Sequence, residues 1–286
     1  MSTPAVSLFV RNLSKGSCFG AIILTASHNP GGKDEDFGIK FNNAAGAPAT
    51  ENITGRIFEN TKKIQQYKTL DTDIPFSYEK DFNITVEANG SVEVKIVSST
   101  ALYVETMKNL FDFDKLDKLF SRNDFWFVFD GLHGASGPYA VEIFHKILGV
   151  KIENLLNCDN LADFGGHHPD PNLVYAKTLV EKMDTDKKRD PSSVPDFGAA
   201  CDGDADRNMI LGKQFFISPS DSIAMITSNF KSIKNLNREN GLVGVARSMP
   251  TSSALDRVAK KLGYKVNLIL IISAMKLLQV GSSLGI

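Results

Sequence analysis

The chain is predicted to be an α/β protein of about two domains, and three observations carry that prediction. Apolar runs of strand length, at Ala21–Leu24, Phe125–Phe129 and Asp196–Cys201, alternate with helical-period segments such as Gly137–Leu148 and Val174–Met183. Two of those runs pass straight into loops of polar and turn-forming residues, where α/β proteins commonly keep their chemistry. The 286 residues, 42% hydrophobic, suffice for separate cores.

In chain order, Ala5–Arg11 fits either a strand or a buried helical turn. Ala21–Leu24 predicts a buried strand, and Asp36–Asn42 a half-buried one, with Phe37, Ile39 and Phe41 on one face and Lys40 on the other. Ile53, Ile57, Phe58 and Ile64 among polar residues predict an amphipathic helix over 51–68. Residues 69–91 are polar and turn-rich, and Val92–Ser98 predicts a strand. A new unit starts near residue 100. It has helical spacing over Ala101–Leu119, strands at Phe125–Phe129 and Val150–Leu156, and helices at Gly137–Leu148 and Val174–Met183. A strand at Asp196–Cys201 follows, then a short hairpin over Ile210–Phe216. Helices at Pro219–Asn229 and Ser252–Leu262 alternate with strands at Gly241–Arg247 and from Tyr264. The apolar tail from Leu268 is too short, and too soon interrupted by Lys276, to cross a membrane.

The formal net charge of −1 gives no global attraction to nucleic acid or to an anionic membrane, so any anion site must be built locally. Cys18, Cys158 and Cys201 are widely spaced, which argues against a disulfide framework or a zinc site and fits a reducing compartment. The start lacks the basic and apolar regions of an export signal, so the expected location is cytoplasmic and the Asn-x-Ser/Thr sites are read as chance.

Two loops carry the chemistry. In Thr25-Ala26-Ser27-His28-Asn29-Pro30-Gly31-Gly32 a hydroxyl stands at the end of a strand on a sharp turn, with glycines that admit close backbone approach. A strand-terminating turn with an incidental serine is the alternative. In Asp202-Gly203-Asp204-Ala205-Asp206-Arg207, an extended path sends all three carboxylates to one side. Such a row is stable mainly around a hard cation, Mg²⁺ or a similar ion, and three ligands leave positions open. A solvated acidic turn is the alternative. An EF-hand fails, because its sixth position is Arg207 and its twelfth is Lys213. Arg207 suits a bidentate phosphate clamp or an ion pair with one of the aspartates.

Taken with Gly38-Ile39-Lys40-Phe41-Asn42, Asp163–Asn172 and Ala246–Ser252, these loops resemble the α-D-phosphohexomutase superfamily, nearest its eukaryotic phosphoglucomutase branch, over residues 2 to about 265. The resemblance implies multidomain, phosphohexomutase-like mixed α/β layers. The expected divisions are a partial first domain over 1–98, a complete second over 99–216, and an incomplete third over 217–286. It implies that Ser27 carries a phosphoryl group whose oxygen completes a Mg²⁺ shell with Asp202, Asp204 and Asp206. His28 and Lys40 would stand beside the transferred phosphate as catalytic residues, Lys40 also binding substrate with Arg207; a fixed countercharge for Lys40 and a hydrogen-bonded brace of the loop for His28 are the alternatives. The implied reaction moves phosphate between O1 and O6 of glucose through glucose 1,6-bisphosphate, in a cytoplasmic monomer with a sugar-phosphate partner. No nucleic acid or membrane partner is expected.

The family's Gly-Glu-Glu-Ser loop, which holds the sugar hydroxyls, and its Arg-Ser-Gly-Thr loop, which grips the non-transferring phosphate, do not occur in this sequence, so low mutase turnover is expected. Two further readings stand beside it: hydrolysis of the phosphoserine, and an inactive fragment or non-catalytic scaffold.

Overall fold

A computed structural model of the chain describes residues 1–13, 18–69, 81–86, 90–237 and 241–269. The chain divides into two compact units, one comprising Met1–Thr25 and Phe37–Tyr103, the other Ala26–Asp36 and Val104–Ile286. The Ser27 loop therefore belongs to the second unit, although the strand that leads into it belongs to the first.

In the first unit, helix α1 (Thr3–Leu13) resolves the ambiguity over residues 5–11 in favour of a helix. Strands β1 (Gly20–Leu24) and β2 (Ile39–Asn43) pair antiparallel, with Ile23 opposite Lys40 and Ile22 opposite Phe41. The expected burial is inverted on β2. Asn42 is buried and donates from Nδ2 to Ser7 Oγ of α1 at 2.9 Å, whereas Ile39 and Phe37 are exposed. The reason lies in the pairing: the face bearing Ile23 and Asn42 packs on α1, and Ile22, Leu24 and Ile39 lie on the opposite face. Helix α2 (Glu51–Lys63) forms as predicted but ends sooner, at the extended Ile64, and buries none of its residues. A hairpin of β3 (Phe82–Val86) and β4 (Gly90–Val94) occupies part of the stretch read as turn-rich. Helix α3 (Ala101–Leu110) straddles the division between the units.

The second unit is built on a five-stranded mixed sheet of order β6-β5-β7-β8-β9. Its strands are β5 (Phe127–Asp130), β6 (Leu155–Leu156), β7 (Phe197–Cys201), β8 (Asn208–Gly212) and β9 (Phe215–Ile217). The first three run parallel, β8 is antiparallel to β7, and β9 is antiparallel to β8. The helical spacing over 101–119 is divided at Asp112, which caps α4 (Phe113–Phe120) by accepting from Lys115 N at 3.1 Å. Phe127 and Phe129 on one face of β5 join Phe120, Phe144, Val150 and Leu155 in an aromatic-rich core. Val128 and Leu132 join Leu179 and Met183 of α6 (Lys177–Met183), with Ala200, Met209 and Leu211, in the core of the other face. A strand covered on both faces reads as a continuous apolar run, which Phe125–Phe129 is.

Helix α5 (Gly137–Ala140) continues through a π-helical stretch, Val141–Ile147. The strand predicted over Val150–Leu156 is confined to its last two residues, because Ile152–Asn154 forms a 3₁₀ turn. Helices α7 (Ser222–Ser228) and α8 (Ala254–Leu262) pack together beside a parallel pair, β10 (Gly244–Ser248) and β11 (Lys265–Ile269). Arg247 on β10 holds Asp256 of α8 through two hydrogen bonds of 2.7 and 2.6 Å. Most of the apolar tail after Leu268 lies outside the described residues.

Candidate functional site

The candidate site gathers at the carboxyl end of β7, where small residues give way to three aspartates. Asp202 and Asp204 are buried and Asp206 is exposed, and an oxygen from each lies within 4.8 Å of the other two. The loop is shaped by its own side chains. Asp202 Oδ1 accepts from Arg207 N at 3.0 Å, and Ala205 takes a left-handed conformation (φ 63°). Burial is the first cause that pushes the Asp202 carboxyl above its ordinary range, and the charges of Asp204 and Asp206 add to it; the Arg207 backbone bond opposes them. Two buried carboxylates and a third beside them are a donor set for a hard, oxygen-seeking cation.

Ser27 comes to this cluster from 175 residues away. Its Oγ donates toward Asp202 Oδ2 at 3.2 Å and Asp204 Oδ1 at 3.3 Å, and it accepts from Arg207 Nη2 at 2.7 Å. Arg207 Nη2 also contacts Asp202 Oδ2 at 3.1 Å and lies against Nδ1 of His28. The ion pair of Arg207 with Asp202 is thus present, and the same guanidinium lies on the serine oxygen. Ser27 itself is left-handed (φ 62°), a conformation costly for a non-glycine residue and often found where a side chain must be presented.

The loops fit because glycines remove atoms between them. A Cβ on Gly203 would stand 2.4 Å from the Ser27 carbonyl oxygen and 2.9 Å from the Phe164 ring. One on Gly31 would stand 2.8 Å from the same ring. Phe164 thus underlies both loops, and the Asp163–Asn172 stretch acts here as their support. Within that stretch His168 stacks on Tyr175, their ring centres 4.4 Å apart.

Ser27, His28, Asp202, Asp204, Asp206 and Arg207 therefore meet in the second unit. Lys40 is carried by β2 of the first.

Sequence reading passed over Asp130. It ends β5 fully buried, accepts from Leu132 N and Asn157 Nδ2 at 3.0 Å each through Oδ1, and leaves Oδ2 without a hydrogen-bond donor among the described residues. Burial pushes its carboxyl above the ordinary value. The turn it anchors has left-handed residues at Leu132 and His133, and Ala135 N donates to Gly203 O at 2.8 Å, bracing the aspartate loop. An acid closing an otherwise apolar strand before a glycine was the available signal.

A mixed α/β layer with a serine set among clustered carboxylates and an arginine defines a class of protein suited to phosphoryl transfer. Comparison with known proteins gives the family. Residues 1–68 match α/β/α domain I, and residues 101–214 α/β/α domain II, of phosphoglucomutase/phosphomannomutase. The chain belongs to the phosphoglucomutase/phosphomannomutase family. It is 54% identical over 279 residues to phosphoglucomutase-1 and phosphoglucomutase-2 of Paramecium tetraurelia, covering 93% of this chain and 47% of each of those. It is 50% identical over 276 residues to a cytoplasmic phosphoglucomutase of Populus tremula, covering 93% of this chain and 46% of that one. Among solved structures it resembles the open form of the exocytosis-sensitive phosphoprotein pp63/parafusin, a phosphoglucomutase from Paramecium. There the TM-score is 0.85 at 52% identity, over 94% of this chain and 48% of that one. A phosphomannomutase structure from Thermus thermophilus, 23% identical with a TM-score of 0.59 over 95% of this chain and 52% of that one, shares the fold. The chain spans about half the length of the curated relatives it matches. The expectations of mixed α/β architecture and of family both hold. Among the described residues no helix is long and apolar enough to cross a membrane.

Proposed function

We propose that this chain carries the phosphoryl-transfer centre of a phosphoglucomutase, which interconverts glucose 1-phosphate and glucose 6-phosphate through glucose 1,6-bisphosphate. The observation that carries the reading is the placement of Ser27 Oγ against Asp202, Asp204 and Arg207. A serine held by two carboxylates and a guanidinium is of little structural use at a partly exposed strand end. It is well placed to accept and donate a phosphoryl group.

Asp202, Asp204 and Asp206, with an oxygen of the phosphorylated Ser27, would hold Mg²⁺. Bound there, the ion would supply charge neutralisation beside the phosphate. The chain's own residues do the rest. When phosphoserine donates, the bond between phosphorus and Ser27 Oγ breaks as a sugar hydroxyl oxygen bonds to phosphorus. The hydroxyl proton passes to a base, a role assigned to Lys40, and Ser27 Oγ retains the electron pair until it is reprotonated or rephosphorylated. Arg207, already on Ser27 Oγ, binds phosphate oxygens and opposes their charge. His28 stands beside it as the second catalytic residue and braces the guanidinium. The sugar phosphate is the only partner proposed, and the protein is read as a cytoplasmic monomer. Residues 1–98, 99–216 and 217–286 are assigned to the first, second and third domains of the family's architecture.

The test is intact-mass spectrometry after incubation with glucose 1,6-bisphosphate and Mg²⁺. One added phosphoryl group that is absent from Ser27→Ala supports the assignment. A folded chain that gains no mass overturns it.

A further inference from the structure

The parallel strands β5 and β6 have two ends, and the loops described above occupy only the carboxyl one. At the amino end, the segments that enter β5 and β6 wall a cleft of about 740 Å³, within the size range of small-ligand sites. Trp126, the only tryptophan of the chain, lines it and is 37% exposed. Its indole N–H donates to Asn154 Oδ1 at 3.2 Å, and its backbone N–H donates to Asp196 Oδ2 at 2.8 Å. The bond to Asn154 holds the ring in one orientation before any ligand arrives, which lowers the cost of stacking on it.

The charges of the cleft lining are unequal: Arg122, Lys151 and Lys182 stand against one acid, Glu153, and Asp196, on the Trp126 backbone, is paired with Lys213 at 2.9 Å. Arg122 is neutralised by Asp124, with two contacts of 2.8 Å. Lys151 and Lys182 have no carboxylate within ion-pair distance among the described residues. A fixed aromatic surface with two lysines against one acid, Glu153, favours a ligand that is both planar and anionic.

We infer that the cleft walled by Trp126, Lys151 and Lys182 is a second binding site, distinct from the Ser27 loop, for a nucleoside monophosphate. The base stacks on the indole, and the phosphate meets the lysines. Stacking of bases on aromatic side chains tolerates any base, so the site distinguishes ligands by charge and planarity more than by base identity.

Because Trp126 is the only indole in the chain, its fluorescence reports this cleft directly. Titration with AMP is expected to quench it saturably. Adenosine, which lacks the phosphate, and inorganic phosphate, which lacks the ring, are each expected to bind at least about tenfold more weakly. The double variant Lys151→Gln with Lys182→Gln is expected to weaken AMP at least about tenfold, with the thermal midpoint and phosphoryl uptake at Ser27 unchanged. Absence of saturable quenching by AMP overturns the proposal. So does equal affinity for AMP and adenosine, or for AMP and phosphate, or an unaltered AMP affinity in the double variant.

Discussion

Strands β1 and β5 look alike in sequence, each a short apolar run that ends at a turn, yet their surroundings differ sharply. Every residue of β5 is buried, with Phe127 and Phe129 in one core and Val128 in the other. On β1 only Ile23 is buried, while Ile22 and Leu24 are 70% and 64% exposed. An apolar run therefore states that a strand has something to bury, and its neighbours decide whether it does. In the second unit, α6 covers one face of the sheet and aromatic side chains from α4 and the π-helical stretch cover the other. In the first unit, α1 packs only on the face carrying Ile23 and Asn42.

The comparison breaks first, if it breaks, at Phe127. Its ring lies within 6 Å, centre to centre, of those of Phe120, Phe144 and Phe197. Phe127→Ala is expected to cost about 3–5 kcal/mol in urea unfolding, as large buried aromatics generally do. A loss below about 1 kcal/mol would mean that this core is far looser than its contacts indicate.

Next in size is Gly203→Ala. The added methyl would press on the Ser27 carbonyl, which is backbone and cannot turn aside as a side-chain end can. We expect a loss of about 1–3 kcal/mol with the Ser27 loop displaced. Uptake of phosphate from glucose 1,6-bisphosphate, read by intact mass, should fall with it. Normal uptake at unchanged stability would show that the two loops do not need to touch.

Asp130 gives a smaller effect with a characteristic pH dependence. Burial raises its pKa above the ordinary 3.8, so the folded chain holds that proton more tightly than the unfolded one. Its favourable contribution is fully present below the ordinary value and is lost as pH rises through the raised one. Asp130→Asn keeps an acceptor for Leu132 N and cannot ionise. Relative to wild type it should therefore gain stability as pH rises through and above the ordinary carboxylate range. Parallel stability curves for the two proteins between pH 3 and 7 would show that Asp130 is not titrating in that range.

Much of this was legible in the sequence, and the omissions have physical causes. The strands could be read from their apolar runs, and the two loops from Ser27, the three aspartates and Arg207 taken together with the family resemblance, since either loop alone also reads as an ordinary turn. Most helices of the second unit were likewise apparent from their spacing. The inverted burial of β2 was hidden, because alternation gives two faces without saying which one α1 will cover. Asp112 and Ile152–Asn154 altered boundaries through local capping and a 3₁₀ turn, which periodicity does not register. Asp130 escaped because its importance lies in contacts with Leu132 and Asn157 that only the folded turn creates.

The smallest expected effect is also the sharpest control on the comparison. Ile22 pairs with Phe41 across the ladder, on the side of β1 opposite Ile23. Substitution Ile22→Thr keeps the β-branch and hence the strand preference, and removes only apolar surface that is largely in water already. The expected change in stability is within about 0.5 kcal/mol, as for most exposed sites. Ile23→Thr, one residue along and 7% exposed, changes the same atoms on the covered face and places a hydroxyl against α1. It is expected to cost at least about 1 kcal/mol more than its neighbour. Equal losses at the two positions would mean that the outer face of β1 is covered in solution. The contrast between the two strands would then be one of occupancy and not of construction.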